Sequence, residues 1–267
     1  MLIFRFITLF AFSLAGLPAG AHDTWFQSPG GATAGLEVRL GTGNRYPVLE
    51  TGIGAEYLER QGCRAFRTPD AEQPMTPVRN EAHALVLRVR PQAQTCWAQL
   101  VPLEIELTAD KVAIYLREVQ ASAEVRGLWR QMQARGLPWK ERYTKHARID
   151  WAAEPGVATA TAPMGIDVVR TTADGPGWHF QVLRDGLPLA GQAMELISES
   201  ATQGLWRRTD AQGRVWWPLL PAGRWLLRGT ELRLSIDDPT RWDSGFVTLA
   251  FAVPAAAGAP PVKSGRR

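Results

Sequence analysis

Residues 178–198, WHFQVLRDGLPLAGQAMELIS, contain the pattern that decides the fold of this chain. Trp178, Phe180 and Val182 alternate with polar residues, which is the period of a half-buried strand. Asp185-Gly186 follows as a turn signal, and a second strand is predicted over residues 192–198. Short strands between turns continue to residue 253, a spacing that is typical of an immunoglobulin-type β-sandwich.

The first half of the chain is also predicted to contain mostly strands. Residues 36–40 and 84–89 alternate apolar and polar side chains, and Gly41-Thr42-Gly43-Asn44 indicates a turn. In residues 143–151, alternation places Tyr143, Ala147, Ile149 and Trp151 on one face and Arg142, Thr144, His146 and Arg148 on the other.

Residues 111–136 carry apolar side chains at helical spacing instead. Ser122 is a candidate N-cap, and Gly136 followed by Pro138 indicates a helix end. Isolated helices of this length are marginal in water, so we expect them to pack on the N-terminal sheet. The side chains expected to be buried there are Leu116, Val119, Leu128 and Trp129.

Residues 1–21 have the features of a secretory signal peptide. Arg5 precedes an apolar run over residues 6–17, and Ala19-Gly20-Ala21 supplies small residues at a cleavage site. Cleavage would make His22 the first residue of a periplasmic protein. No run of 18 or more apolar residues exists outside the first twenty positions, so no membrane span is expected after cleavage.

These patterns predict a mainly β protein with a short helical insertion. We expect an N-terminal β-rich domain over residues 22–165, with helices within 111–136, and an immunoglobulin-like sandwich over residues 166–254. Residues 255–267 are rich in Ala, Pro and Gly and are expected to be disordered.

Composition excludes several classes of function. The net charge of +4 over 267 residues is small and scattered, which argues against nucleic-acid binding. The serine-hydrolase, zinc-protease and phosphate-binding motifs G-x-S-x-G, H-E-x-x-H and the P-loop are absent, so we do not expect an enzyme.

The two cysteines, Cys63 and Cys96, are expected to form a disulfide because the chain is predicted to be exported. Soft metal ligation is the alternative, and the lack of a C-x-x-C pair makes it the weaker one.

Cleavage would create a candidate metal site. An N-terminal His22 offers its α-amine, whose pKa is about 7.7–8.0, together with its own Nδ1 to one ion. Nitrogen ligands suit Cu, Ni and Zn. His146 is the first candidate for a second protein ligand. Because metal–nitrogen bonds are ~2.0 Å long, its ring is expected within about 4 Å of the His22 amine. His83 and Asp23 are the other candidate ligands. The alternative is that His22 is merely tolerated after the cleavage site.

Two further groups of side chains have a possible binding role. The first is a basic cluster that could bind an anionic ligand. A solvated strand face, or ion pairs with Glu118 or Glu141, would also explain these side chains. The cluster consists of Lys140, Arg142, Lys145 and Arg148. Trp216 and Trp217 should point to opposite faces of one strand, one buried and one outside.

Several segments, taken in order, match one pattern. They are His22-Asp23-Thr24-Trp25, Tyr115-Leu116-Arg117-Glu118, residues 140–148 (KERYTKHAR), 182–191 (VLRDGLPLAG), 209–215 (TDAQGRV), 223–227 (GRWLL), and Trp242-Asp243-Ser244 before residues 248–251. With these the chain resembles a bacterial family of periplasmic proteins of unknown function that are similar to nickel or cobalt uptake components. The resemblance implies a mostly β periplasmic protein with a C-terminal immunoglobulin-like module. Where that family often has a His, this chain has Gly229-Thr230-Glu231, so Glu231 could replace a ligand.

The sequence therefore favours an exported protein that binds Ni, Co or Cu through His22, as an accessory to an inner-membrane metal transporter. The alternative is a non-catalytic module of the cell envelope that binds a protein or a polysaccharide.

Overall fold

The protein is mainly β, as predicted, and contains two helices among the residues described by this computed structural model, which are 22–28, 37–65, 68–151, 157–172 and 176–255. The predicted signal peptide and residues 256–267 of the predicted tail lie outside the described residues. The strands are β1 Asp23–Gln27, β2 Glu37–Gly43, β3 Thr51–Gly52, β4 Leu58–Ala65, β5 Thr68–Gln73, β6 Thr76–Asn80, β7 Leu85–Arg88, β8 Ala93–Leu100, β9 Leu103–Leu107, β10 Trp139–Asp150, β11 Ile166–Arg170, β12 Trp178–Arg184, β13 Leu187–Pro188, β14 Ala193–Ser198, β15 Leu205–Arg208, β16 Arg214–Trp217, β17 Gly223–Leu234 and β18 Arg241–Val253; the helices are α1 Ala109–Glu118 and α2 Ala123–Ala134.

The strands form three sheets. A five-stranded sheet has the order β1-β2-β7-β6, with β3 also paired to β2. A nine-stranded sheet has the order β15-β14-β17-β18-β10-β8-β4-β5, with β9 paired to β10. In the four-stranded sheet, β12 pairs with β11, β13 and β16.

The nine-stranded sheet contains strands from both sides of residue 165. β10 and β18 pair in parallel along eleven register positions, from Lys140 opposite Arg241 to Asp150 opposite Phe251. Because parallel neighbours need no local turn, the two strands can come from distant parts of the chain. This pairing brings the basic segment of the first half against the last strand of the second.

The two faces of this sheet belong to different cores. On one face, Ala147, Ile149 and Ala250 pack with Trp25 and Phe26 of β1. On the other face, Val247 and Leu249 of β18 pack against the strands of the four-stranded sheet. Alternation along each strand therefore determines which of two layers a side chain meets.

Helix α2 begins and ends at the predicted signals. Ser122 Oγ accepts a hydrogen bond from Val125 N at 3.2 Å, and Gly136 adopts φ +71°, a conformation that glycine accommodates without strain. The buried side chains of both helices surround the stacked rings of Trp139 and Trp242, whose centroids are 4.6 Å apart. Leu116, Val119 and Trp129 are buried as predicted, and Leu128 is half-buried. The surface they cover comes from β10, β17 and β18 rather than from the N-terminal sheet alone.

The turn predicted at residues 41–44 is wrong in its position, because β2 continues through Gly43. A Cβ at Gly41 would lie 2.4 Å from the His83 carbonyl oxygen, and one at Gly43 would lie 2.3 Å from that of Val48. The glycines therefore allow other backbone segments to approach the strand closely.

No helix in the described part of the chain is long and apolar enough to cross a membrane.

Candidate functional site

Strand β1 is fixed from its first residue, directly after the candidate ligand His22. The buried Asp23 carboxylate accepts a hydrogen bond from Arg228 Nη1 at 2.5 Å, and Arg228 also bonds Glu195 at 2.7 Å. Thr248 Oγ1 donates to the carbonyl oxygen of Thr24 at 2.6 Å. Burial would lower the pKa of Arg228, but the two carboxylates beside it raise that pKa above its ordinary value. These contacts hold the chain that follows His22 in one position.

A cavity of about 570 Å³ adjoins this anchor at the C-terminal end of α1. Its charged lining comprises the carboxylates of Asp23, Glu118 and Glu195 and the guanidinium groups of Arg117 and Arg228. The carbonyl oxygens of Tyr115, Leu116 and Arg117 at this helix end already accept hydrogen bonds from the backbone that follows. Asp23 and Glu195 share the guanidinium of Arg228, so two of the three carboxylates of the lining are paired.

The structure does not bring the predicted metal ligands together. His146 lies on the face of β10 that turns toward the four-stranded sheet, whereas β1 packs on the opposite face. His83 is exposed, and its Nδ1 lies 2.7 Å from the carbonyl oxygen of Glu50. Within the described residues, no three His, Cys, Asp or Glu side chains are arranged to hold a metal ion.

The expected pairing of His146 with His22 is therefore wrong, for a definite reason. Alternation places Lys145 and Ala147 toward β1, and it places His146 between them on the other side of the sheet. β10 belongs to the nine-stranded sheet, on which β1 packs, and not to the sheet that contains β1.

The predicted basic cluster is divided in the same way. Lys145 points to the β1 side of the sheet, Lys140 and Arg142 are exposed, and the Arg148 side chain is fully buried. Arg148 pairs with Asp150 at 3.0 Å and with Asp167 at 3.1 Å. Its guanidinium is occupied by carboxylates and does not face an anion site, which corrects its place in that cluster.

The predicted disulfide is confirmed. Cys63 and Cys96 are bonded and occupy opposed register positions on β4 and β8, buried in the core beneath β1.

A second cavity, of about 170 Å³, surrounds the ring of His146. His146 is 3% exposed, and its Nδ1 lies 3.1 Å from the carbonyl oxygen of Phe246. A carbonyl oxygen only accepts, so Nδ1 carries the proton and the lone pair is on Nε2. Burial lowers the pKa of His146 to about 4, so the ring is neutral at pH 7.

Sequence reasoning missed most of the charged residues of this cavity. His146 and Arg142 are joined there by Arg184, Asp185, Glu231, Arg233 and Asp243, all from the second half of the chain. Glu231, which stands where the resembling family often has a His, does share a cavity with His146, but it is bonded to Arg184 at 2.5 Å. Only the parallel pairing of β10 and β18 could have revealed this grouping.

We expect His146 to make folding less stable at acid pH. Below pH 6.5 the unfolded chain takes up a proton that the folded ring accepts only near pH 4. As the pH falls from 6.5 to 4, the free energy of unfolding should decrease by up to about 3 kcal/mol. Above pH 6.5 the ring is neutral in both states, and no stability is lost through it. Urea unfolding of the wild type and of His146→Gln between pH 4 and 7.5 measures the difference. His83→Gln is the control, and an equal slope for wild type and His146→Gln would contradict the prediction.

The adjacent tryptophans point in opposite directions, as expected. Trp217 is buried, whereas Trp216 is 46% exposed. His179 stacks beside Trp216 with ring centroids 6.1 Å apart, and the Arg207 guanidinium lies 4.7 Å from the Trp216 ring. This corner of the sandwich is an aromatic and cationic surface.

No protein-family model, no curated protein and no solved structure matches this chain. A functional proposal therefore depends on the chemistry of these sites and on the sequence motifs described above.

Proposed function

We propose that this is an exported periplasmic protein that binds Ni, Co or Cu through the N-terminal His22 left by cleavage after Ala21. The observation that carries the proposal is the anchoring of β1. Asp23 is held by Arg228 and Thr24 by Thr248, so a newly exposed His22 would be attached to a fixed strand. A fixed attachment reduces the entropy lost when a ligand is ordered.

The chemistry of the surroundings supports a cation. The amine and Nδ1 of one His22 would supply two nitrogen ligands, and the adjoining cavity has Glu118 in its wall beside Asp23 and Glu195, which are bonded to Arg228. The amine must lose its proton to bind, which at a pKa of about 7.7–8.0 is readily done near neutral pH. His146 has no part in this site, and the remaining ligands would be solvent or groups of a partner. Such open positions suit a protein that passes its ion to an inner-membrane metal transporter.

The proposal is tested by titrating Ni²⁺ and Cu²⁺ into chains that differ only at the N-terminus. One chain begins at His22, and its matched control carries a Gly-Ser-Gly-Ser-Gly extension that moves the amine away. An extension of one or two residues would be a poor control, because its own amides and amine can bind copper together with the imidazole. We expect the extension and His22→Ala each to weaken binding about 100-fold or more, which corresponds to about 2.7 kcal/mol.

His146→Gln serves as the second control, because this ring lies on the other face of the sheet. Its affinity should equal that of the wild type. If the extended chain binds as tightly as the chain that begins at His22, the amine is not a ligand and the proposal fails.

A binding module for a protein or a polysaccharide is the second candidate. It is supported by Trp216, which is exposed at the edge of the sandwich beside Arg207. A chain that binds glycans without metal, and loses that binding on Trp216→Ala, would favour this candidate.

A further inference from the structure

The cavity around His146 is a cleft along one face of β10. Exposure decreases along this face from Arg142, which is exposed, through the half-buried Thr144 to His146 at 3%. Further space of about 410 Å³ adjoins the cleft beyond Gly165 and Asp185. The cleft is thus open at Arg142 and has the imidazole at its inner end.

The inner end presents a hydrogen-bond acceptor without a donor. Nδ1 of His146 donates to Phe246, and none of the described residues hydrogen-bonds Nε2. The position of Gly165 leaves Nε2 accessible, since a Cβ there would lie 3.2 Å from it. This accessible acceptor can take a hydrogen bond from a ligand that carries an N–H or O–H group.

The outer part of the cleft presents one cation and one anion that do not pair with each other. Arg142 and Asp243 are register partners on β10 and β18, yet no carboxylate of the described residues lies within ion-pairing distance of Arg142. Asp243 Oδ1 is buried and accepts no hydrogen bond from the described residues, although Arg241 Nε lies 3.5 Å away. Arg233 is 3.7 Å from the other oxygen of Asp243.

The remaining charges of the lining are balanced. Arg184 is bonded to Glu231, and Asp185 is exposed at the edge of the cleft. The lining holds three guanidinium groups and three carboxylates, and Arg241 beside Asp243 adds a fourth cation, so the ligand should carry a carboxylate as well as an ammonium group. A planar carboxylate suits the fork of Arg142, and an ammonium group could hydrogen-bond the Asp243 carboxylate, which its ion-pair neighbours Arg233 and Arg241 do not.

We propose that this cleft binds a free amino acid, with its carboxylate on Arg142, its ammonium on Asp243 and a side-chain hydrogen-bond donor on His146 Nε2. Arg142 and His146 are two same-face positions apart on β10, about 13 Å along the strand, so the geometry favours a ligand with a long side chain. A side-chain amide supplies the N–H donor that Nε2 requires, whereas a side-chain carboxylate supplies only acceptors.

Calorimetric titration of the mature protein with glutamine and with its isostere glutamate tests the inner contact. Glutamine should bind at least about tenfold more tightly than glutamate, because only its amide can donate to Nε2. Asparagine and aspartate provide a shorter pair, and glucose provides an uncharged polar probe. Equal binding of glutamine and glutamate, binding of glucose as tight as that of glutamine, or no binding of any amino acid at millimolar concentration would overturn the proposal.

Two variants test the site without depending on removal of the buried imidazole. Gly165→Ala adds a methyl group beside Nε2 and removes no polar atom, and Arg142→Gln removes the cation at the mouth. Each should weaken glutamine binding about tenfold or more, with thermal unfolding used to verify folding. Lys140→Gln is the matched control, since this exposed cation occupies the same face of β10 outside the cleft. If both variants bind glutamine as the wild type does, the cleft is not the site, and metal binding at His22 is unaffected by either result.

Discussion

Replacing Arg148 with methionine is expected to lower the free energy of unfolding by about 3–5 kcal/mol. The guanidinium is fully buried between Asp150 and Asp167 and also donates to the carbonyl oxygen of Ala160 at 2.9 Å. Burial would raise the pKa of Asp150, but Arg148 and Arg170 hold that pKa below its ordinary value. Without Arg148, two buried carboxylates lose their main counter-charge, and this loss dominates the effect.

Urea unfolding at pH 7 measures this change. The matched control is Arg214→Met, because the Arg214–Asp210 pair is exposed to solvent and should contribute little to stability. Adding Asp167→Asn to the Arg148 variant should recover part of the loss by removing one unpaired charge. A loss for Arg148→Met as small as that of the control would show that the buried network does not stabilise the fold as described.

Removal of the disulfide is the second large expected effect. The bond joins Cys63 to Cys96, 33 positions apart, and Cys63→Ala with Cys96→Ala should lower the free energy of unfolding by about 3–4 kcal/mol. The cause is the greater chain entropy of the unfolded state once the loop is released. The fold should persist, because β4 and β8 remain paired on both sides of these positions.

Denaturant unfolding of the wild type with and without a reductant, and of the double variant, checks this prediction. These are the only two cysteines of the chain, so the reductant should destabilise the wild type and leave the double variant unchanged. A reductant effect of equal size on both proteins would show that the bond is not its cause.

The candidate sites were only partly predictable from the sequence, as the positions of His22 and His146 illustrate. The residue types that offer chemistry were evident from the sequence, since they follow from side chains and from the cleavage pattern. The separation of His22 from His146 was not evident, because it depends on the sheet to which β10 belongs and on the face of that sheet on which β1 packs. The acceptors and charges that meet His146 come from β12, β17 and β18, which lie far along the chain.

Local sequence by itself determined the features that depend on near neighbours. The helix cap at Ser122, the helix end at Gly136, the strands from residue 178 onward and the opposite directions of Trp216 and Trp217 all follow from periodicity and capping. The partition of β10 into two faces was also evident, because alternation is a property of a single strand.

Tertiary structure alone decided what each face meets. The polar face of β10 was expected to be solvated, yet Arg148 and His146 are buried on it because the four-stranded sheet covers that side. The glycines at 41 and 43 looked like a turn, but they serve the close approach of distant backbone. A strand's own pattern specifies the direction of its side chains; the partner that covers them is selected by pairing over about a hundred residues, here between β10 and β18.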